Sequence, residues 1–254
     1  MNTDQQTALH DLLLCLGDDE LVLGHRNSEW CGHAPILEED IAFANLALDE
    51  IGHAGLWYSI LAELRGEDPG RYPDQIVYFR DLADYRCAQL LELPKGDWAF
   101  SILRQYLFDS AEKVRLDALA GHPFRPLAEG AVKIRKEEIY HYRHSQAWML
   151  RLGLGTEESH MRLQNALQAA WPFTQQLFVS LPADPEMIQD GYLPDPLEML
   201  AAWDKIVAPF LEECSLRIPQ ETRLEITRTQ HTPHLKVLLA EMQMVARSEP
   251  EAEW

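Results

Sequence analysis

Glu50-Ile51-Gly52-His53 and Glu138-Ile139-Tyr140-His141 repeat one pattern, Glu-x-x-His, inside two long stretches rich in helix formers. A helix turns every 3.6 residues, so side chains at i and i+3 leave from one face and can grip the same metal or adjacent metals. Each tetrad has another acid upstream on what should be the preceding helix: Glu20 lies 30 residues before Glu50, and Asp109 lies 29 before Glu138. Two helical hairpins, each bringing one carboxylate and one Glu-x-x-His, make the pattern of a di-metal site inside a four-helix bundle.

One tetrad alone would carry little weight in a chain with 41 acidic residues and 10 histidines. The apolar stripes around these positions add the weight. Leu9, Leu13, Leu16, Glu20 and Leu23 recur in alternating steps of four and three, which places Glu20 in the middle of a buried face. Phe43, Ala47, Glu50, Ala54, Trp57, Leu61 and Leu64 form a second stripe, with His53 beside it. Ile102, Tyr106, Asp109 and Leu116 mark the third, where Glu112, one turn on, is an alternative acid. Leu127, Ala131, Ile134, Glu138, His141, Ser145, Trp148 and Leu152 make the fourth. Trp57, Tyr106 and Trp148 read as core filling rather than as a ligand cavity.

An unpaired carboxylate in a core costs several kcal/mol or takes up a proton, so four acids converging on one interior need positive charge. Four carboxylates and two neutral imidazoles carry −4, which two divalent ions neutralise. A mixed oxygen and nitrogen ligand set suits two iron or manganese ions better than a thiolate-preferring metal. Cys15, Cys31, Cys87 and Cys214 take no part in that set. A polar core of shared protons, inherited from a metal site, is the alternative.

Strand signals are almost absent, and the fold class is all-α. Turn chemistry separates the hairpins at Cys31-Gly32-His33-Ala34-Pro35, Asp68-Pro69-Gly70, Pro94-Lys95-Gly96-Asp97 and Gly121-His122-Pro123, and Gly153 and Gly155 end the fourth helix. The expectation is one domain over 1–254, with a bundle at about 5–155 and accessory helices at about 156–246. Met161–Phe178 reads as a helix broken at Pro172, Leu197–Arg217 and His234–Ala246 as further helices, and 181–196, with Pro182, Pro185, Pro194 and Pro196, as a loop. His231, Thr232 and His234 suggest capping or surface roles, and Glu249-Pro250-Glu251-Ala252-Glu253 is an acidic tail.

A formal charge of −19 argues against nucleic acid and against anionic membranes. No apolar segment approaches 18 residues and no signal peptide opens the chain, so a cytoplasmic location is expected. Four scattered cysteines suit buried thiols in a reducing compartment. No glycine-rich nucleotide fingerprint is present, so a nucleotide cofactor is not expected here and electrons for redox chemistry must come from elsewhere. No grouping of basic residues stands out as a site for coenzyme A phosphates.

The stretch Glu29-Trp30-Cys31-Gly32-His33-Ala34-Pro35, then Leu37-Glu38 and Ala42-Phe43-Ala44-Asn45-Leu46-Ala47-Leu48-Asp49, resembles the ferritin-like subunits of the bacterial phenylacetyl-CoA epoxidase, the ring 1,2-phenylacetyl-CoA monooxygenase, and among them the C type, PaaC. Arg104-Gln105-Tyr106 with Asp109, Lys136-Glu137 with Tyr140-His141, and His231-Thr232, His234-Leu235 and Leu239-Ala240-Glu241-Met242-Gln243 extend the likeness over nearly the whole chain. The resemblance implies a ferritin-like four-helix bundle with additional C-terminal helices. It also implies a subunit of a multicomponent oxygenase that epoxidises phenylacetyl-CoA in aerobic phenylacetate catabolism. Its implied partners are a homologous catalytic di-iron subunit, the other oxygenase subunits and a reductase. The C type is described as having lost metal ligands, yet Glu20, Glu50, His53, Glu138 and His141 stand where ligands would be. Two readings therefore stand: a partner that stabilises a catalytic subunit, and a self-contained di-iron carboxylate oxidase or oxygenase using Glu20, Glu50, His53, Asp109, Glu138 and His141.

Overall fold

The computed structural model describes residues 1–179, 185–220, 223–250 and 252. Among them every regular element is helical. Asn2 and Gln5 form a capping box that starts α1, Thr3–Ser28. An eight-residue turn reverses the chain into α2, Leu37–Arg65, which ends where Gly66 adopts a left-handed φ of 73°. Asp97 caps α5, Trp98–Leu119, and Pro126 in the first turn opens α6, Arg125–Gly153. The two short connections make two antiparallel hairpins, α1/α2 and α5/α6, and these pack through α2 and α6 into a four-helix bundle.

A crossover joins the hairpins and carries α3, Tyr72–Tyr78, a 3₁₀ turn at Leu82–Asp84 and α4, Gln89–Glu92. Sequence reading placed the turns at its ends but no element within it, because these helices are too short to show periodicity. Beyond the bundle, a Thr156/Ser159 capping box starts α7, Glu157–Ala170, and a 3₁₀ stretch, Trp171–Phe178, follows at Pro172. α8, Pro185–Gln189, lies in the span read as a loop, and Pro182 of that span is outside the described residues. α9, Pro196–Glu213, is capped by Asp195. The last expected helix is two: α10, Pro233–Met242, capped by Thr232, and α11, Met244–Ser248, broken at Gln243. Glu251 and Glu253 of the tail are outside the described residues.

The expected stripes form the core. Leu9, Leu13, Leu23, Phe43, Trp57, Leu61, Ile102, Tyr106, Leu116, Leu127, Ala131 and Ile134 are fully buried, whereas Leu64, Trp148 and Leu152 are only half-buried. α7 and α9 lie against α5, and Trp203 of α9 donates its indole N–H to Ser110 Oγ at 2.8 Å.

Buried ion pairs tie the peripheral segments to α1. Asp18 accepts from Tyr58 Oη (2.5 Å), Arg80 Nη2 (2.5 Å) and the Arg86 N–H (2.6 Å). Asp19 accepts from Arg115 (2.7 Å), Arg228 (2.6 Å) and the Ala88 N–H (2.8 Å). The crossover and the segment before α10 are thus held by charge-assisted hydrogen bonds to one turn of one helix.

Candidate metal centre

Asp18, Asp19 and Glu20 are three consecutive acids of α1, all fully buried. The first two meet arginines; Glu20 turns to the bundle centre and neither of its oxygens has a hydrogen-bond partner. Glu50 and His53 of α2, Asp109 of α5, and Glu138 and His141 of α6 face the same point, each 3% exposed or less. All six residues singled out from the sequence are brought together. Ligand atoms of Glu20, Glu50, His53 and Glu138 lie within 4.8 Å of one another, and so do those of Glu50, Asp109 and His141.

Glu50 and Glu138 straddle the two halves. Glu138 Oε1 is 3.5 Å from His53 Nδ1 and 2.9 Å from His141 Nδ1. Glu50 Oε2 is 3.8 Å from His53 Nδ1, and its Oε1 is 3.5 Å from His141 Nδ1. Glu20 Oε2 lies 3.8 Å from His53 Nδ1, on the outer side of that half. The imidazole centroids are 5.9 Å apart. The layout is two terminal acids, two histidines and two shared carboxylates between them.

Each histidine turns its other nitrogen outward to a half-exposed acid. His53 Nε2 meets Glu137 Oε2 at 2.9 Å, and His141 Nε2 meets Asp49 Oδ2 at 3.2 Å. An Nε2–H held by a carboxylate leaves Nδ1 as the nitrogen facing the centre, the orientation of a ligating imidazole once its Nδ1 proton is displaced. The arrangement is crossed: the acid before Glu50 serves the histidine of α6, and the acid before Glu138 serves that of α2. Sequence reading passed over Asp49 and Glu137, although each stands immediately before a tetrad.

The two halves differ in their hydrogen bonding. Asp109 accepts from Gln105 Nε2 at 2.6 Å and Ser145 Oγ at 2.7 Å, and Gln105 also donates to Glu50 Oε1 at 2.9 Å while accepting from Asn27 Nδ2 at 2.7 Å. Glu20 has no such support. Glu112, the alternative acid, is paired with Arg115 and belongs to neither group. Burial raises it to about 7, against the pull of Arg115.

Without a cation the centre is frustrated. Burial, then Glu50, pushes Glu20 well above the carboxylate range, and burial with neighbouring acids does the same to Asp109 and raises Glu138. Glu50 goes the other way: burial is outweighed by Glu20 and the two histidines, which hold it low. Burial opposes charge on the imidazoles, but the carboxylates prevail and lift His53 to about 9 and His141 to about 12. Within this cluster, seven buried atoms lack a hydrogen-bond partner: both oxygens of Glu20 and of Glu138, Glu50 Oε2, and Nδ1 of His53 and of His141. Buried polar atoms are rarely left so, and this set has the composition and spacing to coordinate two metal ions.

Cys87, Glu92 and His231 form a second buried group. It satisfies itself: Glu92 takes His231 Nδ1 at 2.6 Å, the Thr232 N–H at 2.5 Å and the Cys87 thiol at 3.6 Å, while His231 Nε2 meets the Tyr85 carbonyl at 3.0 Å. His231 is therefore a buried tie rather than the cap or surface residue expected; Thr232 does the capping. No helix of the described residues is long and apolar enough to cross a membrane.

Comparison with known proteins agrees with this architecture. The chain is 39% identical over 243 residues to the C subunit of the 1,2-phenylacetyl-CoA epoxidase of Escherichia coli (strain K12), covering 95% of this chain and 97% of that protein. It is 29% identical over 147 residues to the A subunit of the same epoxidase and organism, covering 56% of this chain and 44% of that one. The model of the phenylacetic acid catabolic protein family matches residues 1–254. The chain is a member of the phenylacetic acid catabolic protein family, with the all-α, ferritin-like bundle and additional C-terminal helices described above.

Proposed function

We infer that the chain is a subunit of a phenylacetyl-CoA epoxidase of aerobic phenylacetate catabolism, pairing with and stabilising a homologous catalytic di-iron subunit, and that it holds a two-metal site of its own. Near end-to-end likeness to the epoxidase's C subunit supports the subunit role. The ligands proposed are Glu20, Glu50, His53, Asp109, Glu138 and His141; the observation that carries five of them is the set of seven unpartnered donor atoms, and Asp109 joins through its closeness to Glu50 and His141. The oxygen and nitrogen donors favour iron or manganese. A bound pair of either would supply redox chemistry toward dioxygen. The chain's own residues neutralise and fix such ions, Asp49 and Glu137 orient the imidazoles, and the stripes around them exclude water. Electrons would come from a reductase.

Iron analysis of the isolated chain after anaerobic Fe(II) loading tests the site. The expected result is about two irons per chain, lost in Glu138→Ala with helical content intact. A Glu138→Ala protein with a full complement overturns the ligand assignment. Because both Asp109 oxygens already accept hydrogen bonds, loading is expected in two steps, the Glu20/His53 half first.

The completeness of the donor set favours a second reading, a self-contained di-iron carboxylate oxidase or oxygenase. Turnover of phenylacetyl-CoA by the iron-loaded chain with a reductase but no second oxygenase component would select it.

A further inference from the structure

α2 is apolar on two sides. Its inner stripe builds the core, and Leu37, Ile41, Leu48, Gly52, Gly55 and Ser59 recur on the opposite face in steps of three or four, with one gap of seven between Ile41 and Leu48. Leu37 is 72% exposed and Leu48 67%, with Ile41 also exposed and Ile51 at the stripe's edge. A Cβ built at Gly52 or Gly55 meets no atom within 4 Å, so the middle of the stripe is a flat trough. Apolar residues gathered on an outward face, beyond the scattered ones any surface shows, mark a contact surface for another protein.

The helix beside it has the opposite character. α6 carries six Lys/Arg against three Glu in a chain of net charge −19. Lys133, Lys136 and Arg143 are exposed on it without any ion pair or hydrogen bond among the described residues, next to Tyr140, which is 71% exposed. Between the helices lie Asp49 and Glu137, the acids that hold the two histidines.

We propose that the outer α2 stripe with its α6 rim is the docking surface for the homologous catalytic subunit, which lays an apolar helical face bordered by carboxylates along α2. The proposal rests on the subunit role inferred above. Charge disfavours the competing occupant: a second copy of this chain docked face to face would set the same basic rim against itself, whereas a different subunit is free to offer carboxylates there. Size agrees. Leu37 to Ser59 spans about 33 Å of helix, and two helix faces of that length cover roughly 650 Å², near the ~800 Å² per partner of a stable interface. Docking there covers Asp49 and Glu137, so assembly and the dryness of the metal centre become linked.

The test uses the full chain, with the A subunit of the Escherichia coli epoxidase as probe and the C subunit of that epoxidase as the control that the probe is competent. The wild-type chain is expected to bind, Leu48→Asp and Gly55→Leu to weaken binding at least tenfold, Lys136→Glu to weaken it with a reduced salt dependence, and Leu197→Asp, at an exposed position in the first turn of α9, to leave it unchanged. Hydrogen exchange should slow along the outer face of α2 in the complex alone. A complex whose affinity and α2 exchange ignore these substitutions overturns the docking surface and leaves the subunit role standing. A competent probe that never binds the wild-type chain overturns the subunit role together with the surface. Self-association of the chain alone, abolished by Leu48→Asp, overturns the choice of occupant.

Discussion

At the level of single residues, the centre is governed by charge with nowhere to go. His53, at about 9 in the metal-free protein, holds a proton at neutral pH that a metal must displace. Metal affinity is therefore expected to rise with pH toward 9, with proton release on loading; a pH-independent isotherm would exclude His53 as a ligand. The sign for stability is opposite. A folded-state value raised from 6.5 to about 9 means the native chain binds more protons than the unfolded one between those limits, so this contribution is present below pH 6.5 and lost as pH rises through 9. Thermal melts of the metal-free chain should fall over that window, and metal should flatten the profile. Replacing either outward acid, by Asp49→Asn or Glu137→Gln, is expected to reduce metal affinity by about 10- to 100-fold without unfolding the bundle, as measured by competition with a chelator. The sequence displayed the six central residues because each sits on or beside an apolar stripe. It hid Asp49, Glu137 and Gln105, since an acid among 41 or a lone amide has no periodic mark, and their meaning comes only from the helix opposite.

Among the helices, close approach of α1 to α2 depends on two glycines seven residues apart on one face. A Cβ at Gly17 would sit 2.5 Å from the Tyr58 ring, which its hydrogen bond to Asp18 holds in place, and a Cβ at Gly24 would sit 3.0 Å from Glu50 Cβ. Gly17→Ala is expected to cost about 1–3 kcal/mol by overpacking, while Gly55→Ala, in open space on the outer face of α2, should stabilise the chain by roughly 0.5–1 kcal/mol. Urea titrations of the two variants give opposite shifts if the packing is as described. The four long helices were legible because their stripes persist for many turns. α3, α4 and α8 were not, since four to seven residues complete too few turns to show a period, and the basic face of α6 was missed because Lys133, Lys136 and Arg143 gather only once the helix is wound.

For the molecule as a whole, long-range ion pairs fasten the accessory segments to the bundle, and none of them was visible in local pattern. Arg228 reaches Asp19 across 209 positions of chain, and its neighbours Leu177 and Val179 offer carbonyls to the same guanidinium. Arg228→Ala removes one partner of a buried pair and is expected to cost about 3 kcal/mol or more; faster hydrogen exchange in α10 than in α5 would show where the loosening begins. The crossed acids of the centre bear on timing. Neither hairpin can orient its own histidine, so the first, on leaving the ribosome, is an incomplete trap for metal. At roughly 5–20 residues per second, His141 follows His53 by several seconds. If the proposed site is filled, an ion gripped by both halves can arrive only after the second hairpin has closed on the first, because until then neither imidazole has the acid that orients it.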